Sequence, residues 1–197
     1  MNPFFLKDAD GNPLTLYRGE CNHPHQIEPF YRMRRIYFGS LKTAEAYADT
    51  LENDGNYYTS RIFPVHLLIA NPFINQPLGA FLEFSHIIAT LGSVDAQRIA
   101  LRFSKYIEET DNWRYRINAE NKYDSVKSYL LAGEDINNLY FQAYRFFDSV
   151  FEIRRLVQAG YDGAIHAGSG HGSEGEVEYC VFNRAQVYFK PSKTFWS

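Results

Sequence analysis

IYFGSLKTAEAYA, residues 36–48, decides how the chain is to be read. Ile36, Tyr37 and Phe38 are β-branched or aromatic and suit a pleated, half-buried strand. Gly39 and Ser40 turn the chain, and Ser40 is a residue that can cap a helix. The helix follows as KTAEAYADTLEN (42–53). Its Ala44, Tyr47, Ala48 and Leu51 recur at the i, i+3, i+4, i+7 spacing of one buried face. The spacing predicts a strand, a tight turn and a helix in immediate succession.

The same texture continues on both sides. Upstream, DADGNP (8–13) is a turn cluster, LTLYRG (14–19) alternates like a strand, and RRIYFGS (34–40) is the second strand. Downstream, RIFPVHLLIANPF (61–73) reads as one strand, with Pro64 at its start and Pro72 at its end. Residues 82–160 change period. VDAQRIALRFSKYIEE (94–109) puts Ile99, Phe103, Tyr106 and Ile107 on one helical face, and KYDSVKSYLLAG (122–133) stops at Gly133. DINNLYFQAYRFFDSVFEIRRLVQAG (135–160) aligns Leu139, Ala143, Phe146, Val150, Ile153 and Val157 and ends at Gly160. Strands then return as GAIHAG (163–168), EVEYCVFN (176–183) and AQVYFKP (185–191). Strands, helices, then strands predict an α+β fold rather than a parallel α/β sheet. The 197 residues suit a single domain with a helical insertion at about 82–156.

Composition narrows the partners. Lys+Arg 20 against Asp+Glu 23 gives a net charge of −3, which argues against a general nucleic-acid or membrane-surface binder. With 45% hydrophobic and 22% charged residues, the chain is neither disordered nor fibrous. No apolar run reaches the roughly 20 residues of a membrane-spanning helix. MNPFFLKDADGNP (1–13) lacks the pattern of a secretory signal. Cys21 and Cys180 are too few for a disulfide framework, so a reducing, cytoplasmic setting is expected, in the producing cell or in a host.

Three places carry candidate chemistry. Arg18, at a strand end before Gly19, presents a fork that matches a phosphate bidentately, and Gly19 lets a ligand approach the backbone. The plainer reading is a surface arginine in a turn. Tyr37 and Tyr47, brought together by the strand–turn–helix, can sandwich a flat cationic ring, or simply pack in the core. Ser40 can cap the helix or hold a catalytic carboxylate. Glu176 and Glu178 are two apart and share one face of a strand, with Val177 and Tyr179 on the other. Two carboxylates side by side repel, so the face is either solvated or at work.

Other motifs read as less informative. His23 and His25 lack partners at metal-ligand spacing, which argues against zinc. His66 reads as a satisfied core residue and His171 as exposed. The glycine-rich GSGHGSEG (168–175) lacks the Lys and following helix of a P-loop, and RMRR (32–35) reads as a solvated edge.

Taken in order, Arg-Gly in a strand, YFGS, a helix with AxxYA, GYDG (160–163) and a late ExEYxxF resemble the ADP-ribosyltransferase superfamily. IYFGSLKTAEAYA is similar to the corresponding piece of the poly(ADP-ribose) polymerases. VHLLIANPF (65–73), GYDGAI (160–165) and EYCVFNRAQVYF (178–189) are similar to small bacterial and phage members of the polyvalent-protein type. Where polymerases and diphtheria-toxin relatives have a histidine, this chain has Arg18. Arg18, Ser40 and Glu176-Val177-Glu178 match in order the arginine-type, cholera-toxin-like triad. Of its Ser-Thr-Ser motif only FGS (38–40) is present. The resemblance covers roughly 14–80 and 157–190, and residues 82–156 have no counterpart in it.

The resemblance implies split antiparallel β-sheets and a catalytic site for NAD+ as co-substrate. Glu178 would face the nicotinamide ribose and stabilise the oxocarbenium-like transition state as nicotinamide leaves. Ser40 would orient Glu178. Arg18 would hold the NAD+ diphosphate, Gly19 the carboxamide, and Tyr37, Phe38 and Tyr47 would pack around nicotinamide. Glu176 would face the acceptor, in relatives an arginine. The expected activity is mono-ADP-ribosylation of a protein, in a toxin, effector or phage-encoded host-modifying factor. NAD+ glycohydrolysis, transfer to a nucleic acid or small molecule, RNA 2′-phosphotransfer, and a non-catalytic binding or structural role are the competing expectations.

Overall fold

The structure is a computed structural model and describes residues 5–22, 36–49, 59–75, 78–168 and 175–190. In chain order its elements are β1 (Leu16–Asn22), β2 (Ile36–Phe38), α1 (Leu41–Asp49), β3 (Thr59–Leu67), β4 (Pro72–Ile74), β5 (Phe81–Glu83), α2 (Phe84–Leu91), α3 (Ser93–Arg102), α4 (Ser104–Glu108), α5 (Val126–Leu131), β6 (Tyr140–Gln142), α6 (Ala143–Phe147), α7 (Val150–Gln158), β7 (Gly163–Ala167), β8 (Val177–Val181) and β9 (Val187–Phe189). The architecture is α+β with several sheets. It divides into two compact units, one formed by 1–74 with 160–197 and the other by 75–159.

The first unit holds two sheets, ordered β1-β3-β9 and β2-β8-β7-β4. All pairs are antiparallel except β4 with β7, which is parallel, so the second sheet is mixed rather than wholly antiparallel. Tyr17 and Gly39 exchange both backbone hydrogen bonds at 3.0 Å, stitching β1 to the residue after β2. The apolar face of β8 points to a core of Leu16, Phe38, Val65, Leu67, Ile69 and Val181, with Tyr179 packed against it. Period-2 alternation therefore leaves Glu178 on the opposite face.

Two prolines act differently from the sequence expectation. Pro64 lies inside β3, opposite Tyr17. Lys190 donates to the Pro64 carbonyl at 3.0 Å, but Pro64 has no N–H to return, and the β3–β9 ladder ends at Val65–Phe189. Pro72 opens a new strand, β4, rather than closing β3. Between them, Asp162 accepts hydrogen bonds from the amides of Ala70 and Asn71, each at 2.8 Å. The GYDG stretch is thus a brace that sets β4 beside β7.

In the second unit the aromatic surplus forms the core. Phe84, Phe141, Phe146 and Phe147 are fully buried, and Phe103 stacks on Phe141 with centroids 4.7 Å apart. The stretch 94–109 breaks into α3 and α4 at Phe103, yet Ile99, Phe103 and Ile107 still share the buried face. The stretch 135–160 is not one helix. Tyr140–Gln142 pairs with Phe81–Glu83 as a two-stranded sheet, and the chain restarts as α7 after Ser149. Within α7 the buried face is Glu152, Ile153 and Leu156, which leaves Val150 and Val157 at its edge, 44% and 52% exposed. Gly133 and Gly160 both adopt positive φ past a helix end, as their position in the sequence predicts. Among the described residues, no helix is long and apolar enough to cross a membrane.

Candidate active site

The site in the first unit is built from three neighbouring strands and one helix. α1 starts at Ser40, whose Oγ accepts from the Thr43 amide at 3.2 Å and contacts the Thr43 hydroxyl at 3.1 Å. That is helix N-capping. α1 then lies against β1 at very short range. A β-carbon added at Gly19 would sit 1.7 Å from the Ala44 carbonyl oxygen. Gly19 is therefore required by helix–strand packing, and this close approach is what brings Tyr47 over the end of the second sheet.

Arg18 and Glu178 line one cavity, together with Gly19, Tyr37, Phe38 and Tyr47. The cavity is about 10 Å³, close to what a single water needs. Arg18 is largely buried. Its Nη1 donates to the Tyr37 carbonyl at 3.1 Å, and its Nε lies 3.6 Å from Glu20. Burial pushes the Arg18 pKa down, while Glu20 first and Glu178 further off pull it back up. A guanidinium stays charged through such a shift. Glu178 is only 5% exposed. The Tyr47 hydroxyl donates to its Oε1 at 3.5 Å, the long end of hydrogen bonding.

Two expected roles change. Tyr47 donates to Glu178, and Ser40 Oγ engages Thr43 in the first turn of its own helix. Phe38 borders the cavity, but its side chain is 1% exposed and belongs to the apolar core, since β2 alternates and turns Tyr37 the other way. Glu176 precedes β8, does not line the cavity, and pairs with Lys42 Nζ at 3.2 Å.

Sequence reasoning passed over His166 and Glu20. His166 is directly opposite Glu178 in the β7–β8 register, and its Nε2 is 3.9 Å from Glu178 Oε2. Its Nδ1 donates to the Ala167 carbonyl at 2.8 Å, and the Tyr37 ring lies nearly perpendicular to it with centroids 5.8 Å apart. Burial lowers its pKa. Alternation puts His166 on one face of its strand, but only the β7–β8 register, which the sequence leaves open, sets it opposite Glu178. Glu20 gave no comparable signal.

No protein-family model, no curated protein and no solved structure matches this chain.

The remaining candidates lie elsewhere. His66 is half-buried and contacts the Thr15 hydroxyl at 3.3 Å. His23, His25, His171, RMRR (32–35), Leu51 and most of the 168–175 loop fall outside the described residues. Among the described residues, no group of three or more His, Cys, Asp or Glu gathers as a metal site. The second unit has a larger, open cavity of about 460 Å³ bordered by Arg116, Lys122 and Glu134. There Lys122 is already paired with Glu134 at 2.8 Å, and no sequence candidate lies nearby.

Proposed function

We propose that this protein is an NAD+-dependent mono-ADP-ribosyltransferase that modifies a protein acceptor and releases nicotinamide. One observation carries the reading: a buried guanidinium, Arg18, and a buried carboxylate, Glu178, share a cavity walled by Tyr37 and Tyr47. Such a pair fits a dinucleotide whose diphosphate is negative and whose ribose becomes positive during reaction.

In this reading Glu178 accepts a hydrogen bond from the ribose 2′-hydroxyl. It stabilises the positive charge that grows at C1′ as the bond to nicotinamide breaks. The bonding pair leaves with nicotinamide, the acceptor attacks C1′, and the acceptor loses a proton. A carboxylate fixed in a dry site is worth more in that transition state than in the ground state. Arg18, held by the Tyr37 carbonyl and Glu20, supplies a fixed positive charge for the diphosphate. Nicotinamide is far larger than a cavity of about 10 Å³, so its entry requires Tyr47 to turn away from Glu178. Glu176 is available to an acceptor at little cost, because exposed ion pairs such as Lys42–Glu176 contribute about 0–1 kcal/mol.

The test is incubation with labelled NAD+ and a cell lysate, comparing wild type with Glu178→Ala. Label on protein with wild type alone supports the reading, and equal labelling by both removes Glu178 from its role. Free nicotinamide with no labelled macromolecule makes the activity glycohydrolysis. A melting temperature that NAD+ leaves unchanged, with no cleavage, leaves a non-catalytic protein, since binding to the folded state must raise it.

A further inference from the structure

His166 has no role in the reading above, yet it is 1% exposed and faces the one carboxylate that reading depends on. Its ring orientation fixes its tautomer. A carbonyl oxygen can only accept, so Nδ1, 2.8 Å from the Ala167 oxygen, carries the hydrogen. In the neutral ring Nε2 then presents a lone pair toward Glu178 Oε2 at 3.9 Å. Two acceptors face each other across this gap. A hydrogen bond between them requires one further proton, and its formation would close the distance to roughly 2.7–2.9 Å.

We propose that His166 is the proton-holding partner of Glu178, the two side chains taking up and giving away one proton as a pair between Nε2 and Oε2. The remaining surroundings decide how the pair is read. From α1 the Tyr47 hydroxyl donates to Oε1, from β1 Arg18, itself paired with Glu20, attracts the carboxylate while Glu20 repels it, from β2 the Tyr37 ring lies perpendicular to the imidazole, and on β8 Cys180 flanks Glu178. Burial of the ring lowers its pKa, and the hydrogen bond to Ala167 acts in the other direction. With the proton absent, Glu178 is a bare carboxylate aimed into the cavity. With the proton present, Oε2 is tied to His166 and the pair is neutral, so the carboxylate no longer offsets charge on a ribose. His166 thereby acts as a positioning residue, and it sets the acid limit of the site.

The coupling itself stands independently of the transferase reading, and only its catalytic consequence rests on it. The deciding measurement is a ring 15N NMR titration of the full chain without NAD+, wild type against Glu178→Gln. Expected are a neutral ring protonated at Nδ1 and a His166 midpoint that falls by about one pH unit in Glu178→Gln, a tenfold loss of proton affinity. An Nε2-protonated ring, or an unchanged midpoint, overturns the proposal. The second measurement is nicotinamide release against pH for wild type and His166→Asn. The acid limb should move to lower pH in the variant. A variant that lowers the rate equally at every pH would make His166 merely structural. If NAD+ is not cleaved at all, the transferase reading fails while the titration still decides the coupling. If His166→Asn does not fold, the titration decides alone.

Discussion

Gly19 of β1 lies directly beneath the Ala44 carbonyl of α1, with no room for a side chain between them. This contact fixes how far α1 stands from the sheet and hence where Tyr47 meets Glu178. Gly19→Ala would drive a β-carbon to 1.7 Å from main-chain oxygen, which no rotamer can relieve. We expect a loss of roughly 3 kcal/mol, the upper end of the usual range for overpacking, seen in urea denaturation. A variant as stable as wild type would show that α1 can lift without cost.

Glu178→Ala should lower nicotinamide release by about 10²-fold or more, with the fold retained by circular dichroism. Glu176→Ala should lose transfer to protein yet keep NAD+ cleavage. If both activities fall together in Glu176→Ala, its acceptor-facing role is wrong.

Ser40→Ala separates the capping role from the catalytic one that the resemblance implies. Loss of the Thr43 hydrogen bond should cost about 1 kcal/mol of stability. If Ser40 only caps, NAD+ cleavage per folded molecule should change by less than about threefold, a rough bound set by the absence of any transition-state contact. A fall as large as that of Glu178→Ala would return Ser40 to the site.

In the second unit, Glu152 is 1% exposed and held by Arg102 at 2.9 Å and Arg155 at 3.2 Å. Asp95 joins the same network through Arg155 and Arg98. Glu152→Ala leaves two arginines around an emptied site and should cost about 3 kcal/mol, the range for breaking a buried pair. Glu152→Gln keeps the shape and the acceptor oxygen and should cost less. Equal losses would point to volume rather than charge.

Stability should also depend on pH through His166. Its folded-state pKa is depressed by burial, so the unfolded chain takes up its proton first as pH falls. The stabilisation is therefore full above about 6.5 and is lost as pH drops below that value. The melting temperature of wild type should fall between pH 7 and pH 5 more steeply than that of His166→Asn. Parallel curves would exclude His166 as the source.

The elements most legible in sequence were those with a local cause. The capped helix after Gly39-Ser40 and the alternation of β8 follow from side-chain period and turn chemistry within a few residues. The positive-φ glycines at 133 and 160 have the same kind of local cause. The misread elements have non-local causes. Pro64 is tolerated inside β3 only because β9 stops pairing there, and Tyr140–Gln142 is a strand only because Phe81–Glu83 pairs with it. An apolar run alone cannot distinguish that strand from a helix.

The candidate site divides the same way. That Glu178 lies on the face opposite the core was decided by the sequence alone, because alternation along a strand is a property of the backbone. Which groups meet it was decided only by tertiary structure. Tyr47 reaches Glu178 because Gly19 lets a helix close on a strand, and His166 reaches it because β7 and β8 pair in one register. The first contact joins segments far apart in the chain and the second depends on a strand register, neither of which a local pattern of residues encodes.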